Sequence, residues 1–232
     1  MSSQTQSQSD QLTTLILKIT KIAFGVLLVL IALVVLTVVP VVPVLKAAIA
    51  SFGEKTAWYL SRSAGLIAYL LVSASVMWGL VLSSKIVKEV APPPAALAVH
   101  NAISWAGIGL GTLHALALLF DTYYTYTLFD VLVPFVGPYR PGWVGLGTVS
   151  LYALIVISMS FAWRRWLGQT GWRLLHYTSF GFYAVVTIHG LMAGTDSASF
   201  AIRLLYVGSV LITLFLIIYR LLAVPKAQPR RS

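Results

Sequence analysis

No cysteine occurs anywhere in the 232 residues, which excludes disulfides, zinc–thiolate sites, iron–sulfur clusters and a thiolate-ligated haem. Charge is almost as scarce. Charged side chains make up 9% of the chain, against about 25% in water-soluble domains, while 59% of residues are hydrophobic. A chain of that composition belongs in a lipid bilayer. Only six residues are acidic, and the excess of Lys and Arg leaves a net charge of +10. In a soluble protein this balance would point to nucleic acid. Here it fits basic loops facing an anionic inner leaflet, and no nucleic-acid partner is expected.

What the chain does have is long apolar runs. Met1 to Gln11 is Ser/Gln-rich, and residues 1–18 read as a disordered polar tail. A cleaved signal peptide is not expected, because the run after Lys18 and Lys21 exceeds an h-region of about 7–15 residues. A helix needs about 20 apolar residues to cross the hydrocarbon core. Six stretches qualify: Ile22–Val44, Ala57–Leu82, Ala95–Phe120, Trp143–Trp163, Gly171–Met192 and Phe200–Val224. The pattern predicts an all-α membrane protein, a six-transmembrane-helix bundle. Residues 19–45 form a first anchor, 57–224 the main domain and 225–232 a basic tail. The one long connection, Asp121 to Gly142, holds three prolines and a predicted interfacial helix around Thr127–Phe135.

Orientation follows from where Lys and Arg collect. With the N-terminus inside, the inner side holds Lys18, Lys21, Lys85, Lys88, Arg164, Arg165, Arg173, Arg220, Lys226, Arg230 and Arg231. The outer side holds Lys46, Lys55, Arg62, Arg140 and Arg203, so the bias is eleven against five. Both termini are therefore expected in the cytoplasm of a multi-pass plasma-membrane protein, with a bacterial source expected. Trp58 and Trp143 would then mark the outer interface, and Trp163, Trp166 and Trp172 the inner one.

Four histidines are all the chain has, and they fall as two pairs. His100 and His114 are 14 residues apart in the third run; His176 and His189 are 13 apart in the fifth. Both runs go from inside to outside, so the depths match pairwise: His100 with His176, His114 with His189. At about 1.5 Å rise per residue the two levels lie roughly 20 Å apart. Four imidazoles at two depths are a scaffold for two stacked haems, with iron held by His100 and His176 on the inner side and by His114 and His189 on the outer. Azimuth is less tidy. Fourteen residues return close to the same helix face, but thirteen leave His176 and His189 about 140° apart. Either the helix distorts near Ser179–Gly181, or it meets the two cofactors from different sides. Gly107, Gly109 and Gly111, between the histidines of the third run, read equally as a bare surface for a porphyrin and as helix packing through G-x-x-x-G.

At these residues the chain resembles the ferric reductase-like transmembrane domain family, which includes NADPH oxidases, ferric-chelate reductases and the haem-binding membrane subunit of the bacterial methionine sulfoxide reductase system. The resemblance rests on the histidine spacings and on the Trp58-Tyr59-Leu60-Ser61-Arg62-Ser63-Ala64-Gly65 run. His189-Gly190-Leu191, Gly194-Thr195-Asp196 and Pro138-Tyr139-Arg140-Pro141 add to it. It covers roughly Ala57 to Leu222. It implies two b-type haems, on the same two histidine pairs, carrying electrons from a cytoplasmic-side donor to an outer acceptor. Only Pro225 to Ser232 follow the last run, so a separate flavoprotein reductase, FMN or a quinone is the expected donor. The acceptor is a small molecule or an extracytoplasmic protein.

Haem propionates need cationic partners. Arg62 and Arg140 are the outer candidates, and Lys85, Lys88 and Arg173 the inner ones. The loop from Asp121 to Gly142 is expected to cover the outer site, with Asp121, Asp130 and Asp196 as a weak attraction for ferric species. Two other readings stand beside this one: a proton or metal transporter using the histidines, and a haemless scaffold or assembly factor.

Overall fold

A computed structural model describes residues 11, 14–15, 17–22, 24–26, 28–29, 32–33, 42–53, 55–84 and 92–223. Most of the predicted polar tail, Lys85, Lys88, Lys226, Arg230 and Arg231 lie outside the described residues, as does part of the first anchor. The described residues between Gln11 and Leu33 are helical. They are followed by α1 (Val42–Ala50), α2 (Thr56–Ser83), α3 (Pro93–Ala117), α4 (Leu128–Leu132), α5 (Pro141–Met159), α6 (Arg164–Ala193) and α7 (Phe200–Ala223). A short 3-10 turn, Leu118–Phe120, extends α3. No strand occurs among the described residues, so the fold is all-α.

Among the described residues, four helices are long and apolar enough to cross a membrane: Thr56–Ser83, Pro93–Phe120, Pro141–Met159 and Phe200–Leu222. α6 is longer than any of them, yet it does not reach the same apolarity. The reason is in its sequence: Arg164, Arg165, Gln169, Arg173, two histidines and several Thr and Ser dilute the hydrophobic residues. Prolines open α3 and α5, where a missing N–H costs nothing.

The surface is apolar, and the interior mixes hydrophobic side chains with small residues and hydroxyls, the arrangement of a protein whose solvent is lipid. Phe215, Leu211 and Leu221 of α7 are exposed, while Ser73, Ser150 and Ser160 are almost fully enclosed. Buried hydroxyls satisfy themselves within their own helix: Ser73 donates to the Tyr69 carbonyl, Ser150 to Leu146, Thr187 to Tyr183 and Thr213 to Ser209. Between helices, Tyr69 of α2, Tyr183 and Thr187 of α6, and Ser209 of α7 form one buried hydroxyl cluster. Each such bond within a membrane contributes about 0.6–2 kcal/mol. This cluster ties α2, α6 and α7 together.

The histidine-bearing helices pack chiefly on different neighbours, α3 on α2 and α6 on α5, with α2 also touching α6 and α7. The outer connection folds back over the end of this arrangement. Thr127 caps α4 in a reciprocal box with Asp130. Its side chain and backbone N–H hold the Asp130 carboxyl below the usual carboxylate range. Beyond α4, Phe135 takes a left-handed backbone (φ 71) and sits against Gly145 of α5. An added Cβ at 145 would lie 2.5 Å from the Phe135 backbone nitrogen. Backbone cannot step aside as a side-chain tip can. G145A is expected to cost about 1–3 kcal/mol through overpacking, read as a lower midpoint of thermal unfolding in detergent; an unchanged midpoint would mean that the loop is not seated there.

Candidate cofactor site

The structure brings the four histidines together in the predicted pairs. The ring centroids of His114 and His189 are 6.2 Å apart, and so are those of His100 and His176. The interplanar angles, 69° and 68°, are the same at both levels. No distortion near Gly181 is needed: the one residue of α6 with non-helical dihedrals is Gly168 (φ 70, ψ 168), well before His176. His176 and His189 therefore reach their partners from opposite flanks of α6, the second of the two routes open to a 13-residue spacing.

The outer pair is held by backbone. His114 Nδ1 lies 2.7 Å from the Ser61 carbonyl, and His189 Nδ1 lies 2.8 Å from the Trp143 carbonyl. A carbonyl can only accept, so each Nδ1 carries the ring proton and donates it. As a neutral imidazole, each ring then keeps a bare lone pair on Nε2 and has no proton left to offer the other. Carbonyl-held Nδ1 with free Nε2 is the arrangement that orients a metal-binding histidine. The spacing agrees. An imidazole nitrogen binds a metal at about 2.0–2.1 Å and lies about 1.2 Å from its ring centre, so two rings on one ion sit about 6.4 Å apart. Among the described residues no three His, Cys, Asp or Glu side chains come together, so the ligands the chain offers come in twos. A pair of imidazoles beside open space would suit a metal whose remaining positions a macrocycle fills.

Space for those rings comes from glycine on the neighbouring helices. A Cβ at Gly65 of α2 would be 2.8 Å from His114 Nδ1, and one at Gly147 of α5 would be 2.6 Å from His189 Cε1. Gly79 of α2 stands against His100 more loosely, at 3.3 Å. Of the glycines between the histidines of α3, Gly107 packs on Leu71 and Val72, whereas a Cβ at Gly109 would meet nothing. At the inner level His100 Nδ1 faces the Ser75 hydroxyl at 3.4 Å, Ser75 meets Ser104 at 2.6 Å, and Trp172 lies nearly parallel to His176.

A cavity of about 870 Å³ opens beside the outer pair, within the range of about 300–1,000 Å³ usual for cofactor sites. His114, His189, Gly65, Gly111, Gly147 and Arg62 line it; neither His100 nor His176 does. Tyr123, Tyr124, Tyr126 and Tyr139 of the outer connection form part of its wall, so that loop covers the site as expected. Burial pushes the Tyr126 phenol up to about 12.

The arginines divide. Arg62 lines the cavity, forms an ion pair with Asp196 through Nε at 2.6 Å, and stacks 3.9 Å from the Trp58 ring. Arg140 stands away from the lining and donates through Nη1 to the Met192 carbonyl, clamping the loop to the end of α6. Arg173 is exposed on α6 beside Trp172. The three outer carboxylates do not form a cluster. Asp121 accepts from the Tyr123 and Tyr124 backbone, Asp130 caps α4, and Asp196 pairs with Arg62.

No family model, no curated protein and no solved structure matches this chain. The reading of the site rests on its geometry.

Sequence reasoning did not reach the residues that seat the rings: Gly65, Gly79 and Gly147, and the carbonyls of Ser61 and Trp143. One signal for them was present. Gly65 and Gly79 are 14 residues apart, the spacing of His100 and His114 repeated on an antiparallel neighbour.

Proposed function

We propose that this chain is a membrane electron-transfer protein that holds two b-type haems, the inner one between His100 and His176 and the outer one between His114 and His189. The observation that carries the reading is the outer pair: two rings 6.2 Å apart, each with its Nδ1 proton given to a backbone carbonyl. Held by two imidazoles each, from His100 and His176 or from His114 and His189, such haems would supply outer-sphere one-electron transfer. The chain's part is to fix ring orientation through Ser61 and Trp143, to keep bulk away through Gly65 and Gly147, and to exclude water with the outer loop. Arg62 supplies a cation at the cavity, where a propionate would exchange with or join Asp196. Resemblance to the ferric reductase-like transmembrane domain supports the same reading.

In this proposal α6 also crosses the membrane. The stretch after the break at Gly168, from Gln169 to Ala193, spans about 38 Å, enough to cross the hydrocarbon core, and it carries both histidines. Together with a span formed by the first anchor this makes six, with both termini in the cytoplasm of a bacterial plasma membrane. The donor is a separate flavoprotein or a quinone on the inner side, and the acceptor a small molecule or partner reductase outside.

The deciding experiment is a dithionite-reduced minus oxidised spectrum of the purified protein with haem counted per chain. About two haems per polypeptide are expected. Colourless protein whose histidine variants lose proton or metal flux in liposomes would replace this reading with transport.

A further inference from the structure

We propose that Trp172 is the positioning residue of the inner site, holding the plane of the His176 ring with its indole face and taking an anionic carboxylate of the inner tetrapyrrole with its indole N–H. This rests on the haem reading above.

The first observation is geometric. The indole and imidazole rings lie 5.3 Å apart at 24°, a stacked arrangement one helical turn along α6. At the outer level, ring orientation comes from carbonyls on other helices. His176 instead has a flat aromatic face against it, which restricts rotation of the imidazole about its own bond to the chain.

The second observation is independent of the first. Trp172 Nε1 is the one buried side-chain nitrogen or oxygen among the described residues that has no hydrogen-bond partner. An orphaned donor in an apolar interior is unfavourable, and native chains keep few. Trp78, on the neighbouring helix, shows the usual solution, donating to the Ala96 carbonyl at 2.9 Å. The Trp172 donor thus awaits an acceptor that the described residues do not supply. Arg164 brings a guanidinium to the same corner, 5.8 Å from the Trp172 ring. A neutral donor beside a cation is suited to a carboxylate, and the porphyrin ligated by the adjacent imidazole carries two.

W172F and W172A separate the two roles. Phenylalanine keeps an aromatic face for His176 and removes only the N–H. In purified W172F protein, transfer of the inner haem to excess apomyoglobin is expected to speed up about tenfold, because a hydrogen bond to a charged group is lost. The outer haem should leave at the wild-type rate, and the low-spin ferric EPR signal of the inner haem should keep its position. The inner phase is assigned by its absence from H100A protein. W172A should also shift that EPR signal, since the imidazole plane is freed. If W172F released both haems at wild-type rates, the N–H would be directed at the Phe161 ring, which meets the indole edge-on at 5.9 Å, and the proposal would be overturned. Wild-type protein without haem would instead sink the functional reading itself.

Discussion

Replacing His114 by Ala is expected to leave purified protein with one haem per chain where the wild type holds two, halving the reduced-minus-oxidised absorbance. The size of the effect follows from what His114 supplies. Disturbing the groups that merely orient a metal ligand costs about 10–100-fold in affinity, so removing the ligand costs more. H189A should give the same half-loaded protein, and the H114A/H189A pair should be no worse than either single change, because in the proposed site both rings would serve one ion. H100A should remove the other haem and leave the outer one. The two levels are separable because the outer cavity is lined by His114 and His189 and not by the inner pair. Equal loss of both haems from any single change would mean that the pairs are not independent sites.

The pairing of those histidines was legible in the chain because depth in a bilayer depends on little beyond rise per residue, and a 14-residue and a 13-residue interval have nearly the same length. Which route α6 took was not legible. Azimuth depends on how α6 crosses its neighbours, and that is set by contacts with α5 and α2 scattered along the sequence. The apolar runs were legible for the same reason as depth: lipid imposes a length. The run Gly171–Met192 was legible too, but the helix that contains it begins at Arg164, and the exposed Arg164, Arg165, Gln169 and Arg173 at that end lower its apolarity. The Arg62–Asp196 pair joins residues 134 apart in sequence. Arg62 could be singled out as a cation inside an apolar run, but its partner could not. Arg140 shows the opposite case. Its place beside the outer loop suggested a cofactor cation, whereas its side chain closes the end of α6 on the Met192 carbonyl.

The glycines opposite the histidines give a graded test of whether the rings are held where the structure places them. In a helix, Gly→Ala alone is favourable by about 1 kcal/mol. At Gly109, where a new Cβ meets nothing, that gain should appear undiminished, and haem content should not change. At Gly79 the Cβ would stand 3.3 Å from the His100 ring, so a small displacement suffices and the two effects roughly cancel. At Gly65 and Gly147 the Cβ would stand 2.8 and 2.6 Å from ring atoms, below the 3.0 Å that real Cβ contacts respect. A free imidazole would swing aside. These two cannot without giving up the bonds from Nδ1 to the Ser61 and Trp143 carbonyls, so the clash costs about 1–3 kcal/mol and falls on ligand geometry. The expected order of outer-haem loss is G147A, then G65A, with G79A affecting only the inner haem and only slightly. Haem counts and band amplitudes on the four purified variants read the order directly. Full haem in G147A and G65A, with unshifted spectra, would mean that the two rings are not pinned, and the case for axial ligation at the outer level would fail with them.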